Sequence, residues 1–390
     1  MQKRLRIMQV INVRWFNATA WYGIFLSRLL QDAGHDVTVL GLPGTESYAR
    51  AVAMGLKVAP LDLNTVNPVR IPLLMRRMTA LLRDFRPHIV NCHRGEGTVL
   101  WGLCKAAGHS FGLVRTRGDQ RPPKGNVPNR RLHSKLVDAL IATNSRTAEQ
   151  CRAMLGLGND RVATILGGVD TSRFFPDAEA RARVRDICGF GGNDLVIGLL
   201  GRFDAVKGHE ELMRAVRRVR DTLECPEGGR VRLKLMFVGF PASLSFENMQ
   251  ERLRANGLAD CSLITGKVED VAGHINAMDL GVVASQGSEA IARAAFEIMA
   301  CGVPLVGTDV GVMPDLLSAK ALAPVGDTAA LATLIEKSVL DPPYLQNLRN
   351  EQYSRISGLA GQDFLNQTLA VYSSALKRID PTFQLAQRRT

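Results

Sequence analysis

Two groups of residues carry spacings that chemistry could use. The first is Gly201-Arg202-Phe203-Asp204-Ala205-Val206-Lys207-Gly208, which follows an apolar run over residues 195–200 and precedes an amphipathic stretch. Small residues at a strand-to-helix turn let the backbone approach a ligand, and Arg202 and Lys207 supply two cations about where a pyrophosphate would rest. A basic turn after a strand also occurs without any ligand. Neither G-x-x-x-x-G-K-[ST] nor G-x-G-x-x-G is present, which removes the usual evidence for kinase, ATPase or hydride-transfer chemistry. The second group is Glu289 and Glu297, eight residues apart, which fall two turns apart on one face if a single helix spans both. The apolar Ala292, Ala295, Phe296 and Met299 between and beyond them imply a buried helix in which carboxylates need partners. Capping and an ordinary ion pair would account for these two glutamates equally well.

The elements that must position these residues alternate short β-branched runs with longer helical patterns, which predicts parallel sheets covered by helices. In the first half, strands are expected over 6–13, 36–40, 88–92, 112–116 and 139–143, with helices over 22–33, 72–85, 97–107, 130–137 and 145–154. Residues 120–129, rich in Pro and Lys, read as a mobile loop. The pattern loosens over 167–180, and a second series begins at Leu195. Its strands are expected over 195–200, 232–238, 262–266, 280–284 and 304–308, and its helices over 208–222, 246–256, 271–277, 290–300 and 328–340. A helix over 361–378 closes the fold. The implied organisation is a first domain over 1–170, a second over 171–360, a helix within 361–380 returning to the first domain, and a disordered tail over 381–390. Two doubly wound domains joined this way would face each other across a cleft, with ligands at the carboxyl ends of the strands.

Composition narrows the classes further. A chain of 390 residues with 46% hydrophobic content exceeds what one core usually supports. The opening residues read as a strand rather than a leader, and no run approaches the roughly 18 apolar residues of a membrane span. Seven dispersed cysteines without a C-x-x-C pair suggest neither a disulfide framework nor a zinc site, and a reducing cytoplasm fits them. The net charge of +12 resides in the first half: residues 1–178 carry +13 and the remainder −1. Basic clusters at Arg76-Arg77, 115–121 and 124–135 would suit anionic lipid headgroups or an acidic saccharide, or simply form a solvated surface. No helix-turn-helix, zinc or aromatic RNA-binding signature accompanies the charge, so nucleic acid is not an expected partner.

Taken together, Gly201–Gly208, the Gly266 turn, Glu289 with Glu297, and Cys301-Gly302-Val303-Pro304 resemble the retaining GT-B glycosyltransferases of family 4, whose second domain carries G-R-x-x-x-x-K-G, E-x7-E and A-x-G-x-P. Residues 165–176 are similar to the linker N-G-V-D-x-x-x-F-x-P of that family. The resemblance is strong over roughly 165–317 and topological in the first half. It implies a GT-B fold of two Rossmann-like domains, acceptor-side then donor-side, and a nucleotide diphosphate sugar (UDP-, GDP- or ADP-linked) as substrate rather than cofactor. Arg202 and Lys207 would then bind the donor diphosphate and offset charge on the leaving group. Glu297 would hold the ribose hydroxyls, Glu289 would contact the transferred sugar, and the backbone near Ala292 and Arg293 would approach the phosphates. Gly201 belongs to the diphosphate turn, and Gly266, Lys267 and Val268 to the loop flanking the base. Asn91-Cys92-His93 resembles the family's H-x-H, bringing His93 near the reacting sugar, while Asn17, Arg117 and Asp119 are acceptor-side candidates.

The chain departs from the family pattern at four places. Asn17-Ala18-Thr19-Ala20 replaces paired glycines, Asn91 replaces the first histidine of H-x-H, Gly167 replaces the linker asparagine, and Ala292 replaces a glycine. No D-x-D occurs, so protein cations rather than a metal are expected to bridge the diphosphate, and no covalent nucleophile is evident. The resemblance implies transfer with retention; a saccharide or lipid-linked acceptor, such as a lipopolysaccharide or other envelope polysaccharide precursor, fits the basic first half, and the expected location is the cytoplasm or the inner face of its membrane. The alternative is a non-catalytic sugar-nucleotide or polyanion-binding module of the same fold.

Overall fold

Parallel strands buried on both faces read as continuous apolar runs, and the chain supplies two series of them. The computed structural model describes residues 4–64, 69–223, 232–287 and 289–383. Its two units are Met1–Gly168 with Gly361–Thr390, and Val169–Ala360.

In the first unit seven strands pair in parallel: β1 Arg6–Ile11, β2 Asp36–Gly41, β3 Lys57–Pro60, β4 Ile89–Cys92, β5 Gly112–Arg117, β6 Ala139–Ala142 and β7 Val162–Thr164. Their order is β3-β2-β1-β4-β5-β6-β7. Strand alternation sends Met8 and Val10 into a cluster with Val90, Cys92, Trp101 and Leu113, over which the helices Arg70–Phe85 and Gly95–Ala106 lie. Gln9 therefore faces the other way. That opposite face is covered by the helices Ala18–Asp32 and Gly361–Lys377, the latter packing on β5, β6 and Ala18–Asp32. The Tyr22 and Phe364 rings meet edge-on at 4.6 Å.

In the second unit six parallel strands, β8 Asp194–Leu200, β9 Arg232–Val238, β10 Ser262–Gly266, β11 Leu280–Val283, β12 Leu305–Thr308 and β13 Leu322–Ala323, run in the order β10-β9-β8-β11-β12-β13. Both sheets reverse their winding beside the first strand, between β1 and β4 and between β8 and β11. Such switch points leave a crevice at the carboxyl ends of the strands, where open α/β sheets bind ligands. Two Rossmann-like α/β units are thus present, in agreement with the fold class expected.

Several elements differ from the expectation. The helices Glu46–Ala53, Ala178–Ile187 and Pro342–Ser357 and the strands β3 and β7 had no counterpart in it. The strand expected over 6–13 ends at Ile11, and the helix expected over 22–33 begins at Ala18 because Asn17 accepts the Ala20 amide and caps it. The loop expected over 120–129 is shortened by the helix Val127–Lys135, capped by Asn126. The helix expected over 290–300 starts only at Arg293. The expected tail is described as far as Phe383; residues 384–390 and Cys225 lie outside the described residues.

Candidate functional site

The carboxyl end of β8 opens directly into the 201–208 turn. The Gly201 amide still donates to the Val238 carbonyl at 3.0 Å and Phe203 to Phe240 at 2.9 Å, so the turn leaves the sheet as an ordered continuation. Asp204 accepts the Val206 amide and starts a 3₁₀ turn over Ala205–Lys207, which Gly208 ends with φ of +72°. A Cβ at Gly208 would stand 1.9 Å from the Ala284 carbonyl oxygen, so only glycine lets the loop after β11 approach this closely. The Gln286 amide donates to the Val206 carbonyl at 2.8 Å and ties the two loops together across the switch point.

This close approach brings two of the expected site residues into contact. Lys207 Nζ lies 2.5 Å from Glu289 Oε1, which also accepts the Ser285 hydroxyl at 2.5 Å. Thr308, at the end of β12, donates its hydroxyl to the Ser285 carbonyl at 2.6 Å and fixes that loop in turn. Glu289 is buried, while Arg202 is half-exposed, with Asp204 at 4.0 Å as its ion partner. One cation of the turn is engaged inward and the other faces solvent.

Glu289 and Glu297 do not share a helix face. Glu289 lies in the loop, and the backbone reverses at Ala292, whose φ of +29° and ψ of 53° are left-handed, before the helix Arg293–Ala300 begins. The position that the family fills with glycine is thus one whose conformation favours glycine. Inside the helix, Glu297 receives Arg293 Nε at 2.6 Å. Burial pushes its carboxyl above the ordinary range, against the opposing pull of Arg293 and Arg173. Gly266, with φ of +75°, ends β10 two strands from β8, and Val268 follows it, half-buried, at the same edge.

In the first unit His93 follows β4 at the other switch point, and its amide donates to the Val10 carbonyl of β1 at 3.0 Å. Its ring is buried, with Nε2 2.9 Å from Gln9 Oε1 and Nδ1 without a partner among the described residues. Burial, helped by the nearby Arg115, pushes the ring down to about 3, so at neutral pH it is the neutral imidazole with one ring proton rather than the imidazolium. Asn17 is engaged as a helix cap. Asp119 accepts Arg115 Nη2 at 2.9 Å and has Arg117 Nη1 at 3.7 Å, so it balances two cations at the end of β5.

Sequence reasoning passed over Gln9, Tyr372, Ser285 and Thr308, and it counted Arg115 in a basic cluster facing anionic groups or solvent, whereas the structure buries it. Arg115 is fully buried and donates from Nη1 to the Cys92 and Thr116 carbonyls at 3.0 and 2.6 Å. An arginine inside a strand run was the available signal for it. Among the described residues no group of three or more His, Cys, Asp or Glu side chains is gathered as a metal site, and no helix is long and apolar enough to cross a membrane.

A parallel-sheet switch point bearing cations and buried carboxylates belongs to nucleotide-sugar chemistry as readily as to other phosphate chemistry, and comparison decides the family. Residues 22–173 match the model of Glycosyltransferase Family 4 and residues 194–341 that of Glycosyl transferases group 1; the chain belongs to this glycosyltransferase family. It is 29% identical over 283 residues to D-inositol 3-phosphate glycosyltransferase 1 of Catenulispora acidiphila, covering 69% of this chain and 66% of that protein. To the lipopolysaccharide core biosynthesis mannosyltransferase LpsB of Rhizobium meliloti it is 32% identical over 184 residues, 47% of this chain and 48% of that one. The chain thus spans less than two thirds of the length of either curated relative. The structure of Anabaena HepE in complex with UDP shares the GT-B fold, with a TM-score of 0.81 at 17% identity over 95% of this chain and 100% of that chain.

Proposed function

We propose that the chain transfers a glycosyl group from a nucleotide diphosphate sugar to a saccharide or lipid-linked acceptor with retention of configuration. The observation that carries this reading is the pair of cations, Arg202 and Lys207, at the carboxyl end of β8 in a turn whose Gly208 admits no side chain. In the reaction proposed, the acceptor hydroxyl attacks C1 from the face that the diphosphate leaves. The C1–O bond to phosphate breaks, and the departing phosphate oxygen takes the hydroxyl proton. Arg202 and Lys207 offset the negative charge gained by the leaving group, which is electrostatic stabilisation needing no metal bridge. Glu289 contacts the transferred sugar, Glu297 the ribose, and the backbone at Ala292 and Arg293 the phosphates, with Gly266 and Val268 beside the base.

UDP is the first donor base to try, since the HepE neighbour holds UDP. An envelope polysaccharide acceptor at the inner membrane face is supported by LpsB among the relatives and by the +13 charge of residues 1–178. The test is thermal stability with UDP, GDP, ADP or no ligand, for wild type, Lys207→Ala and Glu297→Ala. A diphosphate at about one hundred times its Kd should add roughly 2.7 kcal/mol to the wild type and nothing to either variant. Stabilisation by none of the three overturns the nucleotide-sugar reading. Loss of turnover on adding a chelator overturns the metal-independent mechanism alone.

A further inference from the structure

Five polar side chains form a connected line through the buried face of the first sheet. The Thr116 hydroxyl on β5 donates to Asn91 Oδ1 on β4 at 2.9 Å. Asn91 Nδ2 donates to the Tyr372 hydroxyl oxygen at 2.9 Å, and Gln9 Nε2 on β1 donates to the same oxygen at 3.0 Å. Gln9 Oε1 then faces His93 Nε2 at 2.9 Å. Each of the five is buried. Buried amides and hydroxyls left unpaired are costly, so such a line holds each group in one orientation.

The line has a direction. Gln9 presents its amide oxygen to the ring, and an amide oxygen only accepts, so in this orientation His93 carries its proton on Nε2. A neutral ring protonated there presents Nδ1 as a bare lone pair, and Nδ1 is the atom without a partner among the described residues. We infer that Tyr372, on the C-terminal helix, is a positioning residue for His93: by receiving Gln9 Nε2 it keeps Gln9 Oε1 toward His93 Nε2, and so keeps Nδ1 an acceptor for a ligand hydroxyl. Without the Tyr372 oxygen, the Gln9 amide can rotate to present Nε2 to the ring, which then protonates at Nδ1 and becomes a donor there. The same atom, once protonated, would repel a ligand hydroxyl hydrogen that the bare lone pair would accept. That the hydroxyl belongs to a sugar rests on the proposed function; the tautomer does not.

The experiment is 15N NMR of the full chain with labelled histidine, the His93 signals being identified by their loss in His93→Gln. The wild type should show protonated Nε2 and bare Nδ1. Tyr372→Phe, which removes one oxygen from a buried ring, should populate the Nδ1-protonated form, and Gln9→Met, the second variant should Tyr372→Phe fail to fold, should do the same. With donor and acceptor, Tyr372→Phe should lower kcat about tenfold, the worth of one hydrogen bond, with donor KM within about twofold. Protonated Nδ1 in the wild type, or an unchanged tautomer in both variants, overturns the inference. A moved tautomer in a chain that turns over no donor leaves the inference standing and removes the activity alone.

Discussion

Lys207 Nζ and Glu289 Oε1 meet at 2.5 Å, and the same carboxylate oxygen holds the Ser285 hydroxyl. The cation proposed for the diphosphate is thereby matched by a buried anion, and an incoming nucleotide would share it. A sugar hydroxyl that engages Glu289 would ease that sharing, which couples the two halves of a donor. Glu289→Gln should therefore bind UDP alone about tenfold more tightly, the worth of one charge-assisted hydrogen bond, while losing most transfer activity. Calorimetric titration reads the first and turnover the second; weaker UDP binding in this variant would show that Glu289 orients Lys207 rather than restrains it.

At Ala292 the backbone is left-handed, which costs a non-glycine residue about 1–2 kcal/mol. Replacing it with glycine releases that strain but forfeits a buried methyl and adds chain entropy to the unfolded state, together about 1–2 kcal/mol. Ala292→Gly should accordingly be near neutral. Ala295→Gly, three residues on, inside the helix that Ala292 precedes and also buried, has no strain to release and should cost about 1–2 kcal/mol. Urea denaturation of the two variants side by side measures the difference, and equal losses would mean that Ala292 is not strained.

The His209 ring lies buried between Phe203 and Phe237, and burial first, with Lys207 adding to it, pushes it down to about 4. A histidine whose folded pKa is depressed binds fewer protons than the unfolded chain, so its contribution is present above about pH 6.5 and is lost as pH falls toward 4. His209→Phe should lessen the fall of stability between pH 6.5 and 4.5 by about 1.4 kcal/mol per pH unit at most. Denaturant midpoints across this window check it. A slope that does not change would place the acid sensitivity elsewhere, with His93 the next ring to test.

Gly208→Ala adds a Cβ that would stand 1.9 Å from the Ala284 carbonyl oxygen, at a φ that alanine also resists. The loops after β8 and β11 must then part, and the variant should lose about 2–4 kcal/mol of stability together with the Lys207–Glu289 contact. Thermal unfolding with and without UDP measures both effects; a variant as stable as the wild type would contradict the packing of these loops.

What the sequence by itself determined here is local or periodic. Two series of β-branched runs alternating with amphipathic stretches specify parallel sheets, because such strands can be buried only beneath helices on both faces. The order of turn, glutamates and small residues from Gly201 to Pro304 carried the family, since backbone approach and paired cations need those residue types at close sequence spacing. Short elements such as β3, with four residues, and β7, with three, span too few positions to show a period.

The tertiary structure decided the rest. Nothing near Ala292 in sequence says that the helix must begin at Arg293 rather than at Ala290; the turn is imposed by Gly311, whose Cβ would stand 2.0 Å from the Glu289 carbonyl oxygen, and by the Val312 amide that bonds this oxygen at 2.8 Å. Tyr372 lies 281 positions from Asn91 and 363 from Gln9, and only the return of the C-terminal helix over the first sheet brings its hydroxyl to both amides. Hydrogen bonds between residues so far apart leave no periodic trace along the chain, because their energy depends on distance in space and not on spacing in sequence.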